Sequence, residues 1–278
     1  MAVKQSVRTM LAVAPGGTSA TPVGMDPRDE RGIVRKTAEK ETPVIAARLR
    51  ELQERLFAES SRSVLLVLQG MDTSGKGGTI EHVIGDVNPM GVQIKAFKKP
   101  TPAELSHHYL WRVRRELPTA GRIGIFDRSH YEDVLIVRVH NIVPREVWST
   151  RYDEINRFEA KVAAAGTVIV KCFLHISYDE QRERLLARLA DPEKRWKFRE
   201  GDIDERAHWA DYQEAYHDAL TRCSTEVAPW YVVPADRKWL RNHLIARLLL
   251  ETLEEMDPKF PDPPLDLLAL RRRLEPPG

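Results

Sequence analysis

An apolar run that empties straight into a glycine-rich loop constrains this chain more than any other feature. Residues 63–70 read SVLLVLQG and residues 71–79 read MDTSGKGGT. A short, continuous Val/Leu run of this kind suits a parallel strand buried on both faces, which requires helices on both sides of its sheet. The loop follows the phosphate-binding pattern G-x-x-x-x-G-K-[ST] at Gly70, Gly75 and Lys76. Where that pattern ends in a metal-binding hydroxyl stands Gly77, and an acidic residue, Asp72, lies inside the loop. A strand before the loop and a helix, KGGTIEHVIGDV, after it provide the setting in which the pattern carries weight.

The alternation extends along the chain. Residues 35–59 place Val44, Ile45, Leu49, Leu52 and Leu56 at helical spacing. VQIKAF, RIGIFDRS, TVIVKCFLHIS and WYVVPAD read as further strands. PAELSHHYLWRVRREL, residues 144–165, YDEQRERLLARL, a polar stretch near 203–225 and KWLRNHLIARLLLETLEEM read as helices between and after them. This order predicts an α/β, three-layer, doubly wound parallel sheet, with the ligand beyond the carboxyl ends of the strands. Residues 1–34 are expected to be a flexible tail, 35–257 the folded domain, and 258–278 a proline-rich tail that wraps the surface or meets a partner subunit.

Anion binding must come from local clustering, because 43 Lys/Arg against 41 Asp/Glu leave a formal charge of only +2. The two cysteines, Cys172 and Cys223, form neither a close metal-like pair nor a disulfide framework. Cys172 is expected to be a buried thiol. The apolar patch near the start is too short for a secretory signal, and no stretch approaches the ~18 apolar residues of a membrane span. A cytoplasmic protein without membrane contact is expected.

Glycines at 70, 75, 77 and 78 let backbone N–H groups turn toward an anion, and Lys76 adds a full positive charge. Asp72 would repel that anion unless it holds Mg²⁺ or accepts a proton from the ligand; the plainer reading is a carboxylate capping its own turn. A second cluster, FDRSHYED, begins at a predicted strand end. Asp127 is placed like the metal-holding aspartate of phosphate-loop enzymes, and Arg128 offers a fork that suits a phosphoryl group. Glu132 would sit near the metal or position the acceptor, and His130 reads as a structural hydrogen bonder rather than a base. The plainer reading of Asp127–Arg128 is a surface ion pair.

Residues 182–199, RERLLARLADPEKRWKFR, carry seven positive charges (Arg182, Arg184, Arg188, Lys194, Arg195, Lys197, Arg199) against three negative. Asp191-Pro192-Glu193 should break the helix, giving a basic lid over about 182–206. With Lys95, Lys98, Lys99, Arg112, Arg114 and Arg115 the lid could line a channel for a long polyanion; taken alone it could be a solvated face. Trp196 and Phe198 would either stack on a base or pin the lid to the core.

GMDTSGKGGT, YLWRVRREL, FDRSHYEDVLIVRV, DPEKRWKFREGD, the Trp209–Tyr212–Ala215 spacing and APWYVVPAD occur in order, and together they resemble the family-2 polyphosphate kinases over roughly residues 35–257. The resemblance implies a phosphate-loop kinase fold and Mg²⁺-dependent phosphoryl transfer, reversible in direction, between inorganic polyphosphate and a nucleotide, with Mn²⁺ as an alternative metal. It implies that Asp72, Lys76, Asp127 and Arg128 are catalytic, with Asp72 and Asp127 on the metal. Gly70, Gly75, Gly77, Gly78, Glu132, Arg188, Lys194, Arg195 and Lys197 would bind phosphate or nucleotide. It further implies AMP, ADP and ATP as ligands, with guanine nucleotides as further candidates, no nucleic acid, and a homodimer or homotetramer. SHYEDV and the lid resemble the AMP/ADP-phosphorylating group. That group often has Asn where this chain has Asp127 and Asp where it has Gly77, so AMP against ADP is left open. Two other readings stand beside this one: an ATP-dependent nucleoside-monophosphate kinase, which needs no extra basic channel, and a non-catalytic polyanion-binding protein.

Overall fold

The structure, a computed structural model, describes residues 6–16, 24–85 and 87–275. Five strands form one sheet: β1 (Ser63–Gln69), β2 (Val92–Ala96), β3 (Ile123–Asp127), β4 (Thr167–His175) and β5 (Trp230–Pro234). Their order is β2-β3-β1-β4-β5, and every neighbouring pair is parallel. All seven residues of central β1 are buried, as its unbroken Val/Leu run requires.

The principal helices are α1 (Val7–Leu11), α2 (Arg35–Glu59), α3 (Lys76–Ile84), α4 (Arg151–Ala164), α5 (Tyr178–Ala190), α6 (Gly201–Ala207), α7 (Trp209–Arg222), α8 (Lys238–Met256) and α9 (Leu267–Leu274). Alternate β1 residues face opposite layers. Val64, Leu66 and Leu68 pack with Leu49, Leu52 and Leu56 of α2, Val83 and Ile84 of α3, and Leu244 and Leu248 of α8. Leu65 and Val67 pack with Phe158 and Val162 of α4. A third cluster joins Phe173 and Trp230 of the sheet to Tyr212, Ala215 and Tyr216 of α7. This is the three-layer, doubly wound arrangement that the alternation predicts.

Three helical segments are more broken than expected. The stretch from Pro102 divides into Pro102–Leu105 and Leu110–Arg114, residues 144–165 into Arg145–Trp148 and α4, and the polar stretch near 203–225 into α6 and α7. The first piece is closed at its start by a Thr101–Glu104 capping box.

The loose tail expected over 1–34 is corrected for the described residues. Val7 and Leu11 are 0% and 1% exposed and belong to the core beneath α8. The Glu251 carboxylate accepts from Ser6 Oγ, Val7 N and Arg8 N at 2.6, 2.9 and 3.1 Å, satisfying amides that a helix start leaves without partners. Val13 N then donates to Trp230 O (2.8 Å). Asp236 N donates to Pro27 O (3.3 Å) farther along. Residues 1–5 and 17–23 lie outside the described residues. Over 258–275, α9 has no buried residue. Among the described residues no helix is long and apolar enough to cross a membrane.

Candidate active site at the carboxyl rim of the sheet

Strand register brings the two sequence clusters together. Leu68 of β1 pairs with Asp127 of β3, so the loop after Gln69 and the turn after Asp127 leave the sheet side by side. Glycine is required at two loop positions. Gly70 has φ 155, and a Cβ there would come 2.7 Å from Ser74 Oγ and 2.8 Å from Leu174 O. Gly75 has φ 101, and a Cβ there would overlap the Arg241 guanidinium. Lys76 opens α3 and is buried; its Nζ donates to Gly70 O at 2.8 Å and to Met71 O at 3.5 Å. An ammonium has three donors, so one N–H remains for a phosphate oxygen. Burial, and then the neighbouring Arg128, push the Lys76 pKa down, against the pull of Asp72, Asp127 and Glu132.

Arg128 directly follows β3 with φ 63, a left-handed backbone uncommon for a residue with a side chain. Arg128 N donates to Leu68 O (3.0 Å), which fixes the kink to β1. The kink lets Nη2 donate to Asp72 Oδ1 at 2.9 Å. Burial alone would raise the Asp72 carboxyl, but Lys76 and Arg128 outweigh it and hold it below the ordinary range. Glu132 is raised instead, chiefly by burial, although Gln69 Nε2 donates to its Oε1 at 3.1 Å. Asp127 makes no side-chain hydrogen bond or ion pair among the described residues; it acts electrostatically on Lys76 and Arg128.

Beneath this rim lies a buried polar network. Lys171 Nζ donates to Glu159 Oε2 (2.5 Å), Tyr131 OH (2.8 Å) and Cys223 O (2.7 Å). Glu159 Oε1 accepts from Tyr131 OH at 2.9 Å and stands 3.1 Å from His130 Nε2. All four side chains are at most 1% exposed. His130 is therefore a structural hydrogen bonder, as its sequence context suggests.

The lid reaches the loop through its first helix. Gln181 Nε2 donates to Asp72 O (3.1 Å), and Arg184 donates to Thr73 O (2.9 Å) and Ser74 O (3.3 Å). Arg188 faces Asp202 at 3.8 Å and helps to lower Asp72. Lys194, Arg195 and Lys197 are not brought to the loop by any contact. Lys194 pairs with Asp191 at 2.5 Å, Arg195 donates to Leu189 O, and Lys197 lies over Trp196. Trp196 is 77% exposed and does not pin the lid to the core. The upstream basic residues form no continuous lining either. Lys95 pairs with Glu116, Arg112 is buried and donates to Lys98 O, and Arg114 and Arg115 lie over Phe158 and Trp111.

A cavity of about 260 Å³ opens at the loop, bounded by Gly70, Asp72, Arg128, Glu132, Asp202 and Tyr216 among others. A larger cavity of about 380 Å³ lies along the other face of α7, lined by Arg138, Trp148 and Arg222. The smaller one is where the loop after β1 faces the turn after β3, with Gly70 and Asp72 opposite Arg128 and Glu132. Among the described residues no group of three or more His, Cys, Asp or Glu could hold a metal. A pair of carboxylates nonetheless suits Mg²⁺, which binds through one or two carboxylates with substrate phosphates and water completing its shell. Asp127, with no side-chain hydrogen bond or ion pair among the described residues, and Asp72, held on one oxygen only among them, fit that role.

Sequence reasoning missed Gln69, Gln181 and Arg241, and placed Arg184 among the lid cations without its bonds to the loop. Arg241 left one signal, an arginine three and seven residues before Leu244 and Leu248 on the apolar face of α8.

The sequence profile of the family "Polyphosphate kinase 2 (PPK2)" matches residues 33–261. The chain is 54% identical over 220 residues to an AMP/ADP-polyphosphate phosphotransferase of Meiothermus ruber, covering 79% of this chain and 82% of the relative. It is 44% identical over 243 residues to an ADP-polyphosphate phosphotransferase of Rhodopseudomonas palustris, covering 82% and 84%. The crystal structure of Polyphosphate Kinase 2 from Arthrobacter aurescens TC1 superposes with a TM-score of 0.93 at 45% identity, covering 99% of both chains.

Proposed function

From the premise that this chain belongs to the polyphosphate kinase 2 family, we propose how its rim residues divide the work of catalysis. The chain is an enzyme that transfers phosphoryl groups between inorganic polyphosphate and nucleotides. That sets aside the ATP-dependent kinase and the passive polyanion binder. The acceptor oxygen of a nucleotide phosphate is already anionic, so little general-base work is needed. Rate enhancement then comes from positioning and charge neutralisation.

In this reading the loop amides at Gly70, Gly75, Gly77 and Gly78 and the free N–H of Lys76 hold the transferring phosphoryl group. Arg128, tied to Asp72 at 2.9 Å, would meet the charge spread over that group. Asp72 and Asp127 would hold Mg²⁺, with Mn²⁺ as an alternative, and the bound ion would supply neutralisation of phosphate charge. Glu132 and Arg188 line the acceptor side, and the cations of the lid tip, Lys194, Arg195 and Lys197, meet the polyanion from above. The acceptors are AMP and ADP, with guanine nucleotides as further candidates and no nucleic acid. Support for AMP beside ADP comes from the greater identity to the AMP/ADP-using relative. A cytoplasmic location and a homodimeric or homotetrameric assembly belong to the same proposal.

The observation that carries the reading is the pairing of a missing hydroxyl with an added carboxylate. Gly77 stands where a phosphate loop keeps its metal ligand, and Asp72 enters the same loop, where it and Asp127 both act on Lys76. The test supplies AMP or ADP with long-chain polyphosphate and Mg²⁺, no nucleotide donor being present. Phosphorylated product is expected from both acceptors, lost with EDTA and restored by Mg²⁺. Lys76→Ala should lower kcat by about 10²–10³-fold, the cost typical of one lost donor to a developing oxyanion. Undiminished turnover in that variant would sink the site assignment.

A further inference from the structure

One contact pins the two feet of the lid together. α5 leads into the lid and α6 leads out of it. Arg206, near the end of α6, donates from Nη1 to Gln181 Oε1 at 2.6 Å and to Tyr178 O at 3.1 Å, both in the first turn of α5. Its guanidinium lies over the Tyr178 ring, 3.8 Å from the centroid. Gln181 is 1% exposed, and the other end of its amide, Nε2, donates to Asp72 O at 3.1 Å. A single buried amide therefore joins the second foot of the lid to the loop.

An amide has a donor end and an acceptor end, whereas a guanidinium can only donate. Arg206 thus decides which way the Gln181 amide faces. With Oε1 held by Arg206, the NH₂ group must face Asp72 O. Turned over, the amide would set donor against donor at Arg206 and oxygen against oxygen at the loop. The next two loop carbonyls are held from the same helix, since Arg184 donates to Thr73 O and Ser74 O.

The carbonyl that Gln181 holds is a demanding one. Thr73 has φ 63, a left-handed backbone that is an outlier for a β-branched residue. That torsion turns on the Asp72–Thr73 peptide, whose oxygen is Asp72 O. A strained backbone persists only where its surroundings over-determine it. Asp72 is gripped twice, by Arg128 Nη2 on its carboxylate at 2.9 Å and by Gln181 on its carbonyl. Resting on the phosphoryl-transfer reading above, we infer that Arg206 is a positioning residue of that reaction, setting the Asp72–Thr73 peptide through the Gln181 amide. The action runs through Gln181 and not through contact with substrate. A lid whose second foot is displaced leaves the amide free to turn, and the peptide then relaxes and carries the Asp72 carboxylate away from Arg128. Placement of the lid and placement of the loop carboxylate become one event.

The test measures kcat and KM, with ADP and long-chain polyphosphate, for the wild type, Arg206→Met, Gln181→Leu, the double variant and Arg206→Lys. A melting curve first shows that each variant is folded, as expected for the partly exposed Arg206. Wild-type turnover is read next. Its absence overturns the phosphoryl-transfer reading and this inference with it. Arg206→Met and Gln181→Leu should each lower kcat roughly tenfold, the scale of one hydrogen bond, with KM for ADP and polyphosphate within about twofold of the wild type. The double variant should be no slower than the slower single variant, because both break one link. Arg206→Lys keeps a donor for Oε1 and should return most of the lost kcat. Should the buried Gln181→Leu not fold, Arg206→Met against Arg206→Lys decides. A merely structural contact would shift the melting temperature and leave kcat of the folded enzyme as it was. An active wild type with unaltered kcat in Arg206→Met overturns this inference alone. So does Arg206→Lys no faster than Arg206→Met, or a double variant slowed about a hundredfold, the product expected of two independent contacts.

Discussion

Glu132 is a single side chain held at the rim against the interest of the fold. Burial raises its carboxyl above the ordinary 4.5, and neither the Arg128 charge nor the Gln69 amide fully offsets this. A raised folded pKa contributes stability that is fully present below the unfolded value and is lost as pH rises through the folded value. That contribution is present in acid and diminishes as pH rises, so at neutral pH the Glu132 carboxyl weighs on the folded state. Glu132→Gln should melt a few degrees higher than the wild type at neutral pH, with the gap closing as pH falls toward 4.5, while turnover drops. Thermal unfolding at neutral and mildly acid pH checks the first part; an equal or lower melting temperature at neutral pH would refute it. Residues such as Asp72, Lys76, Asp127, Arg128 and Glu132 were legible in the sequence because each lies within one of two short motifs, and strand register alone brings those motifs together. Gln181, Arg241 and the loop bonds of Arg184 were not, because each reaches the loop from its own stretch of chain by packing. No local pattern records which arginine on a helix will point at a carbonyl of another segment.

At the scale of elements, the turn after β3 is held by a charge that the sequence hides. Lys171 sits inside VIVKCFL, a stretch that reads as a plain apolar strand, yet its ammonium lies between the Tyr131 and Trp230 rings and on Glu159. β4 and α4 thereby grip the turn that carries Arg128 and Glu132. Removing one partner of a buried pair strands the other, at a cost of about 3–5 kcal/mol. Lys171→Met should lose that much in urea unfolding, and Lys171→Met combined with Glu159→Gln should lose less than the single variant. A double variant no better than the single one would show that the pair acts through something other than charge compensation. The strands and their order of alternation were legible because fully buried Val/Leu/Ile runs have few other uses. The breaks within the predicted helices were not, since they depend on how each short piece meets its neighbours.

For the molecule as a whole, the described residues before α2 are part of the fold, and composition misled on this point. Gly, Pro, Ser and Thr between residues 15 and 34 suggested a loose tail, while Val7, Leu11 and Val13 beforehand supply what the core needs. Leu11→Ala should destabilise the protein by about 2–5 kcal/mol, the range for a buried leucine, measured by urea unfolding. An effect below the scatter of surface substitutions would mean that the arm is dispensable.

The arm has a consequence for how this sheet can grow. Hydrogen bonds from Val13 and, beyond the strand end, to Pro27 blunt the β5 border, whereas β2 ends the sheet on the other side with Ile94 54% exposed. A ribbon with two open borders can add copies without limit; a ribbon with one cannot. If two copies met border to border, both open borders would be consumed in a single step, and the product would be a closed pair with no end left to extend.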